Sequence, residues 1–236
     1  SLFKLISNNP FCYWIDNNTR QRFESTLRFE SNGREINVGL QTSDNPRFVR
    51  NQWENISYKP GFLLGDFSSS FYNPLYSTIN YEKQKFELIN ANAVLRNTAS
   101  YFKPGFSWSL RTSKFEPYIV PEGTIPSVSR YIGLANSKES IVTIVALFNS
   151  EYVDYCLKLS LEADSGNPKY INSVVSKLPF EKLPTGLESE LNSIGTRQFK
   201  RIRKLFSSDK NIDFTDNSIF NVSTLTEYIN EKLHII

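Results

Sequence analysis

Residues that form turns interrupt the sequence repeatedly between Ile36 and Pro126. Short apolar and aromatic runs are separated there by Pro60-Gly61, Asn73-Pro74 and Pro104-Gly105. Proline fixes φ and lacks a backbone donor, and glycine tolerates conformations that close turns, so each pair marks the end of an element. The pattern is typical of short strands joined by turns. It predicts a curved mixed sheet or a partly open barrel.

Helical signals lie on either side of this region. Asn9 with Pro10 predicts the start of a first helix that ends near Asn32-Gly33. The apolar run Ile141 to Phe148 is too short to span a bilayer and predicts a buried strand. Ser150 is expected to start the next helix.

Two capping-box patterns predict helices at the C-terminal end. Thr185 with Glu188 opens a long amphipathic helix, and Thr224 with Glu227 opens a last one. The first of these carries the basic run Lys200-Arg201 and Arg203-Lys204 opposite its apolar stripe, where it is either a solvated face or a grip on phosphates. The whole pattern predicts an α+β protein, a mixed curved sheet or partly open barrel with flanking helices and a C-terminal helical segment.

Composition is that of a globular chain large enough to bury a full core. It has 236 residues, of which 39% are hydrophobic and 14% aromatic, and a net charge of +3. The charge alone decides nothing, since specific nucleic-acid binding needs only one positive face. The absence of methionine leads us to expect a fragment or a processed product.

Metal and disulfide chemistry are not expected. The only cysteines are Cys12 and Cys156, and the only histidine is His234. The cysteines lack C-x-x-C spacing, so we expect no metal site. Both cysteines lie on apolar helical faces, where reduced, buried thiols are expected. We expect no disulfide, no signal peptide and a cytoplasmic location.

A polar loop follows the apolar residues Val38 and Leu40. Ser43-Asp44-Asn45-Pro46 has the composition of a tight turn. We expect the turn to present five side chains at an exposed edge: Gln41, Thr42, Asn45, Arg47 and Arg50. Amide, hydroxyl and guanidinium groups are those that position a phosphate backbone and read base edges. The alternative is an ordinary polar loop with solvated arginines.

Four segments, in this order, resemble the target-recognition region of large adenine-specific DNA methyltransferases. Residues 38–50 resemble the family's G-L-Q-T-x-D-N-x-R-F segment, and residues 101–115 resemble its Y-F-K-P-G-x-T-W-S-x-x-T-S block. Residues 122–150 resemble a G-x-I-F strand followed by L-x-x-L-L-N-S, and residues 169–179 resemble Y-x-V-G-x-I-x-x-L-P. The family includes the BREX phage-defence enzymes and fused type II restriction-modification enzymes. Between Gly65 and Arg96, where family members vary, the resemblance is weak.

The resemblance implies a DNA target-recognition domain at residues 36–184. A connecting helix at 1–35 would precede it, and a helical segment at 185–236 would follow. Double-stranded DNA, the methyltransferase domain of the same parent chain and other defence subunits are the implied partners, with no membrane. S-adenosylmethionine would bind the parent enzyme and not this chain. The expected DNA-binding residues are Gln41, Thr42, Asn45, Arg47, Arg50, Trp108, Ser109, Arg111, Thr112, Lys114 and Lys169.

Catalytic motifs are missing from the sequence. Adenine methylation needs a glycine-rich cofactor loop and an Asn/Asp-Pro-Pro-aromatic tetrapeptide that holds the flipped base. Asn73-Pro74-Leu75-Tyr76 lacks the second proline, follows a polar run and has no cofactor loop upstream, so we interpret it as a turn. We see no carboxylate cluster for a nuclease. The sequence leaves open whether the parent carries one.

Two functions remain. In the first, the chain selects a DNA site for an adenine-specific methyltransferase, and polar and cationic side chains converge on one concave face. In the second, it is a protein-interaction module of a phage-defence complex without direct base reading, which predicts a contiguous exposed apolar patch.

Overall fold

The computed structural model describes residues 15–54, 60–65, 69–161 and 168–206. The α+β class is confirmed. Within these residues the helices are α1 Asn17–Ser25, α2 Asn45–Phe48, α3 Tyr81–Asn90, α4 Ile141–Phe148, α5 Glu151–Ser160, α6 Asn172–Val175 and α7 Thr185–Leu205. The strands are β1 Glu35–Asn37, β2 Val49–Asn51, β3 Gly61–Phe62, β4 Phe71–Tyr72, β5 Ser77–Ile79, β6 Gly105–Ser107, β7 Tyr118–Val120, β8 Thr124–Ile125 and β9 Ile132–Leu134.

The strands form two mixed sheets, neither of which closes into a barrel. One sheet has the order β1-β9-β6-β7-β4, with β4 parallel to β7 and the other neighbours antiparallel. The second has the order β2-β5-β3-β8, with β3 parallel to β8. Each strand has two or three residues, as the dense turn signals predict.

An aromatic cluster forms the core between the first sheet and helices α4 to α6. Phe106 of β6 contacts the rings of Phe29, Trp108 and Phe148 at centroid distances of 5.6, 5.8 and 5.4 Å. Gly133 of β9 makes room for it, because a Cβ at Gly133 would lie 2.1 Å from the Phe106 ring. The rings of this cluster therefore form core, and their mainly edge-to-face packing adds to their large burial area.

The prediction that Ile141 to Phe148 is a strand is wrong. These residues form α4, and the Ser140 hydroxyl caps the helix by accepting a hydrogen bond from the Thr143 backbone amide. Five of its eight residues are buried. A short apolar run that is buried on most sides carries no visible period, so its β-branched residues favoured a strand that tertiary packing overrides.

The predicted first helix is wrong in its extent. Helix α1 starts after Asp16, whose carboxylate accepts a hydrogen bond from the Thr19 amide at 2.9 Å, and it ends at Ser25. The chain then pairs with residues after α6, since the Phe29 amide donates to the Leu178 carbonyl at 2.8 Å. Asn9, Pro10 and Cys12 lie outside the described residues.

The other helix signals have mixed outcomes. Ser150 caps α5, as predicted. Helix α7 begins at Thr185, but Pro184 is its N-cap residue and no side chain caps it, so the predicted capping box is wrong. Thr224, Glu227 and His234 lie outside the described residues.

Cys156 on α5 is a free, buried thiol, as expected from its apolar helical face. Burial raises the pKa of this thiol to about 11, so it stays protonated near neutral pH. Among the described helices, none is long and apolar enough to cross a membrane.

Helix α7 packs closely on α4. A Cβ at Gly195 would lie 2.8 Å from Val142 Cγ1 and 2.9 Å from the Val142 carbonyl oxygen, so only glycine permits this approach. Asn192 reinforces the contact by donating to the hydroxyls of Ser140 and Thr143 at 2.7 and 3.2 Å.

Two glycines of α7 offer a matched test of this packing. Gly195→Ala should lower the free energy of unfolding by about 1–3 kcal/mol because the methyl group overpacks the α4 contact. The new Cβ of Gly186→Ala has no atom within 4 Å. This substitution should raise the free energy of unfolding by about 0.5 kcal/mol, because alanine has a higher helix propensity than glycine. Urea unfolding of both variants measures the difference, and equal effects would contradict the close helix contact.

Candidate nucleic-acid interface

The polar loop after β1 is held on both sides by backbone hydrogen bonds. The Leu40 amide donates to the Pro126 carbonyl at 2.8 Å, and the Val128 amide donates to the Leu40 carbonyl at 3.1 Å. Gln41 and Val94 exchange backbone hydrogen bonds of 3.1 and 2.9 Å. Gly39 allows the approach, since a Cβ there would lie 1.9 Å from the Pro126 carbonyl oxygen. The loop is therefore fixed in place before any ligand binds.

A single helical turn, α2, shapes the tip of the loop. The Asp44 carboxylate caps it by accepting from the Arg47 amide at 3.2 Å, with Pro46 in its first turn. The prediction that Thr42 is exposed is wrong: Thr42 is buried, and its hydroxyl donates to Asn45 Oδ1. Thr42 thus orients the Asn45 amide, which is exposed.

This loop borders a cleft of ≈ 410 Å³. One wall is the loop from Leu40 to Pro46, and the opposite wall is Ser127 to Ser129, with Phe62 and Leu64 also lining the cleft. Gln41 and Asn45 are exposed. The loop side of the cleft therefore carries two exposed amide side chains, and the backbone contacts of Leu40 hold it in place.

The two arginines of the loop have different surroundings. Arg47 is exposed, lies over the Phe48 ring at 4.9 Å and pairs with Glu87 at 3.3 Å. An exposed pair of this kind contributes little stability, so phosphate can replace the carboxylate at low cost. Arg50 instead donates from Nη1 to the Pro46 and Val49 carbonyls, each at 2.7 Å, and closes the α2 turn.

The second predicted segment divides into a buried and an exposed part. Trp108 is fully buried, and its indole N–H donates to the Tyr170 carbonyl at 2.8 Å. Ser109 is buried as well, whereas Arg111 and Lys114 are exposed. Thr112 is half-buried and its hydroxyl donates to the Lys114 carbonyl.

Lys169 lies beside the second segment through backbone pairing. Arg111 and Lys169 form an antiparallel bridge, and the Tyr170 amide donates to the Leu110 carbonyl at 2.9 Å. Both side chains are exposed. The structure thus brings Lys169 beside Arg111 and its sequence neighbour Lys114, although Lys169 comes from a distant part of the sequence. We refer to these three residues as the cationic neighbourhood.

Arg130 connects this neighbourhood with the cleft. Its side chain is 2% exposed, its Nε donates to the Leu64 carbonyl at 3.1 Å, and its Nη1 donates to Ser109 Oγ. Leu64 lines the cleft, and Ser109 precedes Arg111. Sequence reasoning missed this residue, because nothing in the local pattern distinguishes a buried arginine from the many exposed ones.

Sequence reasoning also missed the position of α3. Glu87 pairs with Arg47, the Ser43 hydroxyl donates to the Asn92 carbonyl at 2.9 Å, and Val94 pairs with Gln41. Helix α3 therefore lies against the polar loop. The Asn80 cap and the buried pair Tyr81 and Leu88 are signals by which the helix could have been found.

The segment Asn73 to Tyr76, which resembles a base-holding tetrapeptide, has no room for a base. Asn73, Pro74 and Leu75 are buried in the irregular segment between β4 and β5, next to a void of only ≈ 20 Å³. That volume suits about one water molecule and excludes an adenine ring. Gly39 lies against the backbone of Pro126, and Gly105 lies against the backbone of Gly133. Neither glycine therefore forms a phosphate-binding loop. No group of three His, Cys, Asp or Glu able to hold a metal occurs in the described residues.

A larger cleft of ≈ 730 Å³ lies among α1, α4 and the start of α7. Arg34 forms part of its wall, paired with Glu139 at 3.3 Å and placed over the Phe180 ring at 4.3 Å. Leu27 and Leu187 are exposed by 57% and 43%. Leu27 lines the cleft, and Leu187 lies between two lining residues, Thr185 and Glu188.

Fold and site together define a mixed α+β module with a fixed polar loop and a cationic neighbourhood. The chain is similar to the adenine-specific methyltransferase BrxX of Escherichia coli O9:H4 (strain HS), with 28% identity over 173 residues. The match covers 66% of this chain and 14% of BrxX, so the chain spans a small part of the relative's length. No family model matches the chain. The similarity supports a methyltransferase-related family.

The buried guanidinium of Arg130 gives a stability prediction. Arg130→Lys keeps the charge but cannot reach both the Leu64 carbonyl and Ser109 Oγ, so it should lower the free energy of unfolding by about 2 kcal/mol. Arg111→Lys, at an exposed position, should change it by less than about 0.5 kcal/mol. Chemical unfolding of both variants is the measurement. An Arg130→Lys protein as stable as the parent would show that Arg130 does not link the two segments.

Proposed function

We propose that the chain is the sequence-specific double-stranded DNA recognition region of an adenine-specific DNA methyltransferase that acts in phage defence or restriction-modification. The observation that carries the proposal is the similarity to BrxX, which covers only 14% of that protein. A region of this size accommodates target recognition while a separate domain carries out methyl transfer. The proposal keeps residues 36–184 as the recognition domain and places the parent enzyme in the cytoplasm.

The geometry supports a division of labour among the predicted residues. Gln41, Asn45, Arg47, Arg111, Lys114 and Lys169 are exposed and supply the amide and cationic groups of a DNA-binding surface. Thr42, Trp108 and Ser109 are buried, and we assign them the positioning of their exposed neighbours. Arg50 and Thr112 hold their own turns through hydrogen bonds to backbone carbonyls.

The cations would set the register of the duplex. Arg47, Arg111, Lys114 and Lys169 neutralise phosphates, each of which releases condensed counterions, so affinity falls as salt rises. Gln41 and Asn45, beside the cleft, are placed to read base edges, since amide side chains can form paired hydrogen bonds with adenine.

Methyl transfer belongs to another domain of the parent chain. S-adenosylmethionine would bind there, because Asn73 to Tyr76 lacks room for a base and Gly39 and Gly105 form no cofactor loop. That catalytic domain and other defence subunits are the proposed protein partners.

A protein-interaction role is a second candidate, and one observation favours it. The cleft among α1, α4 and α7 is lined by Leu27, an apolar side chain that is 57% exposed. Such a rim is suited to a neighbouring protein domain. This surface contains none of the residues proposed to bind DNA, so both roles can coexist in one parent enzyme.

DNA binding is tested most simply through its salt dependence. Arg111→Ala should weaken binding about equally on all duplexes and reduce the slope of log K against log salt by about one unit, because one phosphate contact is lost. Fluorescence anisotropy with labelled duplexes at several salt concentrations measures the slope.

Arg28→Ala is the matched control for Arg111→Ala. Arg28 is also an exposed arginine at a single backbone bridge, to Pro179, and it lies outside the proposed interface. Its substitution should leave the slope unchanged. Equal slopes for both variants, or no saturable binding of the unsubstituted chain to duplex DNA, would overturn the DNA-recognition proposal.

The separation of recognition from chemistry gives a second prediction. Titration of the chain with S-adenosylmethionine in a calorimeter should show no binding heat, because the sequence has no glycine-rich cofactor loop and Gly39 and Gly105 lie against backbone of other segments. Saturable micromolar binding would place the cofactor site within this chain and contradict the division.

A further inference from the structure

We propose that the outward face of α3 enters the major groove of the target duplex and takes part in selecting its sequence. The inference rests on the proposed DNA-recognition function and adds to it a reading element outside the eleven residues predicted from the sequence. Three observations carry it: the exposure of α3, its attachment to the polar loop and the chemistry of its outward side chains.

Helix α3 presents one face to solvent. Tyr81 and Leu88 are buried and anchor the helix, whereas Lys83, Phe86 and Asn90 are exposed on the other side. Spacings of three and four residues place these three side chains in one row along the helix. Phe86 is 75% exposed, although burying a phenylalanine is worth about 1.5–3 kcal/mol. A ring so exposed in the middle of an anchored helix is suited to contact with a ligand.

Three contacts attach α3 and the residues after it to the polar loop. They are the Arg47–Glu87 pair, the Ser43–Asn92 hydrogen bond and the Gln41–Val94 backbone pairing. The Ser43–Asn92 and Gln41–Val94 contacts remain when Arg47 turns from Glu87 to a phosphate, and the loop is itself held by Pro126 and Val128, so α3 stays beside Gln41 and Asn45. A duplex that contacts the loop therefore meets α3 as well.

Charge and shape favour DNA over an apolar protein partner. Residues 41–50 and 81–97 together contain five cationic and three anionic side chains, namely Arg47, Arg50, Lys83, Lys85 and Arg96 against Asp44, Glu82 and Glu87. Beside this row the outward face carries Glu82 and Ile89, and Ile89 is 53% exposed. Its apolar part is limited to Phe86 and Ile89 and is flanked by charged and amide side chains, so it is shorter than the continuous apolar stripe that docks on proteins. A major groove of about 12 Å accepts one α-helix.

The chemistry of the row matches base edges in that groove. An asparagine amide pairs with adenine N6 and N7, a lysine ammonium donates to guanine O6 and N7, and a phenylalanine ring contacts the thymine methyl group. Asn90 and Lys83 would then discriminate bases by hydrogen bonding. Phe86 lies between them in the row and would contribute apolar contact.

Selection from a pool of random-sequence duplexes tests the inference on the 236-residue chain. The unsubstituted 236-residue chain should enrich one motif. Asn90→Ala and Phe86→Ala should each relax the preference at one or two base pairs by about tenfold, which corresponds to one well-made base contact. Their thermal unfolding should match that of the parent, because both side chains are exposed.

Tyr155→Ala is the matched control for Phe86→Ala. Tyr155 is a 43% exposed aromatic residue of another helix, α5, and its substitution should leave the enriched motif unchanged.

The outcomes separate this inference from the proposed function. If the unsubstituted chain binds no duplex, the proposed function itself is wrong. If it enriches a motif that Phe86→Ala and Asn90→Ala leave intact, DNA recognition stands and the role of α3 is wrong. If Phe86→Ala changes only the oligomeric state of the chain, measured by light scattering, the face binds protein and the inference is overturned. The inference is supported if Phe86→Ala and Asn90→Ala relax the motif and Tyr155→Ala does not.

Discussion

The candidate interface depends on one buried charge, the guanidinium of Arg130. A charge in the protein interior is costly unless hydrogen bonds compensate it, and Arg130 obtains these from the Leu64 carbonyl and the Ser109 hydroxyl. Leu64 follows β3 of the second sheet, and Ser109 follows β6 of the first. The side chain thus joins the end of β3, which lines the cleft, to the segment that leads from β6 to Arg111. Burial raises the pKa of the Tyr118 hydroxyl, and the positive charge of Arg130 partly offsets this rise.

Close backbone contacts complete this arrangement and explain why several motif residues are not surface residues. Gly39 lets the polar loop lie against Pro126, and Gly105 lets β6 approach the Gly133 carbonyl. Trp108 and Thr42 are buried partners of Tyr170 and Asn45. In each segment, therefore, buried residues fix the backbone and exposed neighbours remain available for contact. Such preorganisation lowers the ordering cost of binding a ligand at this surface.

The sequence was informative where signals are local and chemical. The α+β class, the short strands, the Ser150 cap and the start of α7 followed from turn residues, a hydroxyl cap and helical periodicity. The strand prediction for Ile141 to Phe148 failed because an all-apolar run shows no period, and helix α4 is decided by packing on α7. The first helix was extended too far because apolar spacing continued beyond Ser25, where the chain leaves the helix to pair with residues near Leu178.

Tertiary contacts between distant segments were beyond sequence reasoning. Neither the Arg130 link nor the attachment of α3 to the polar loop leaves a local pattern, because their partners are separated by at least 21 residues. The burial of Thr42 was missed as well, because its neighbours in sequence are polar and a hydroxyl next to a turn is normally expected at the surface. Exposed cations were easier to predict, since Arg111, Lys114 and Lys169 carry charges that seldom lie inside a protein.

Hydrogen–deuterium exchange of the chain with and without duplex DNA tests the central claim most directly. It reports which backbone amides a duplex protects without altering any side chain. The account predicts protection of residues 41–50, 81–94 and 110–114, with no change at residues 181–188 beside the helical cleft. Protection confined to the helical cleft, or none in the polar loop and α3 at saturating DNA, would contradict it.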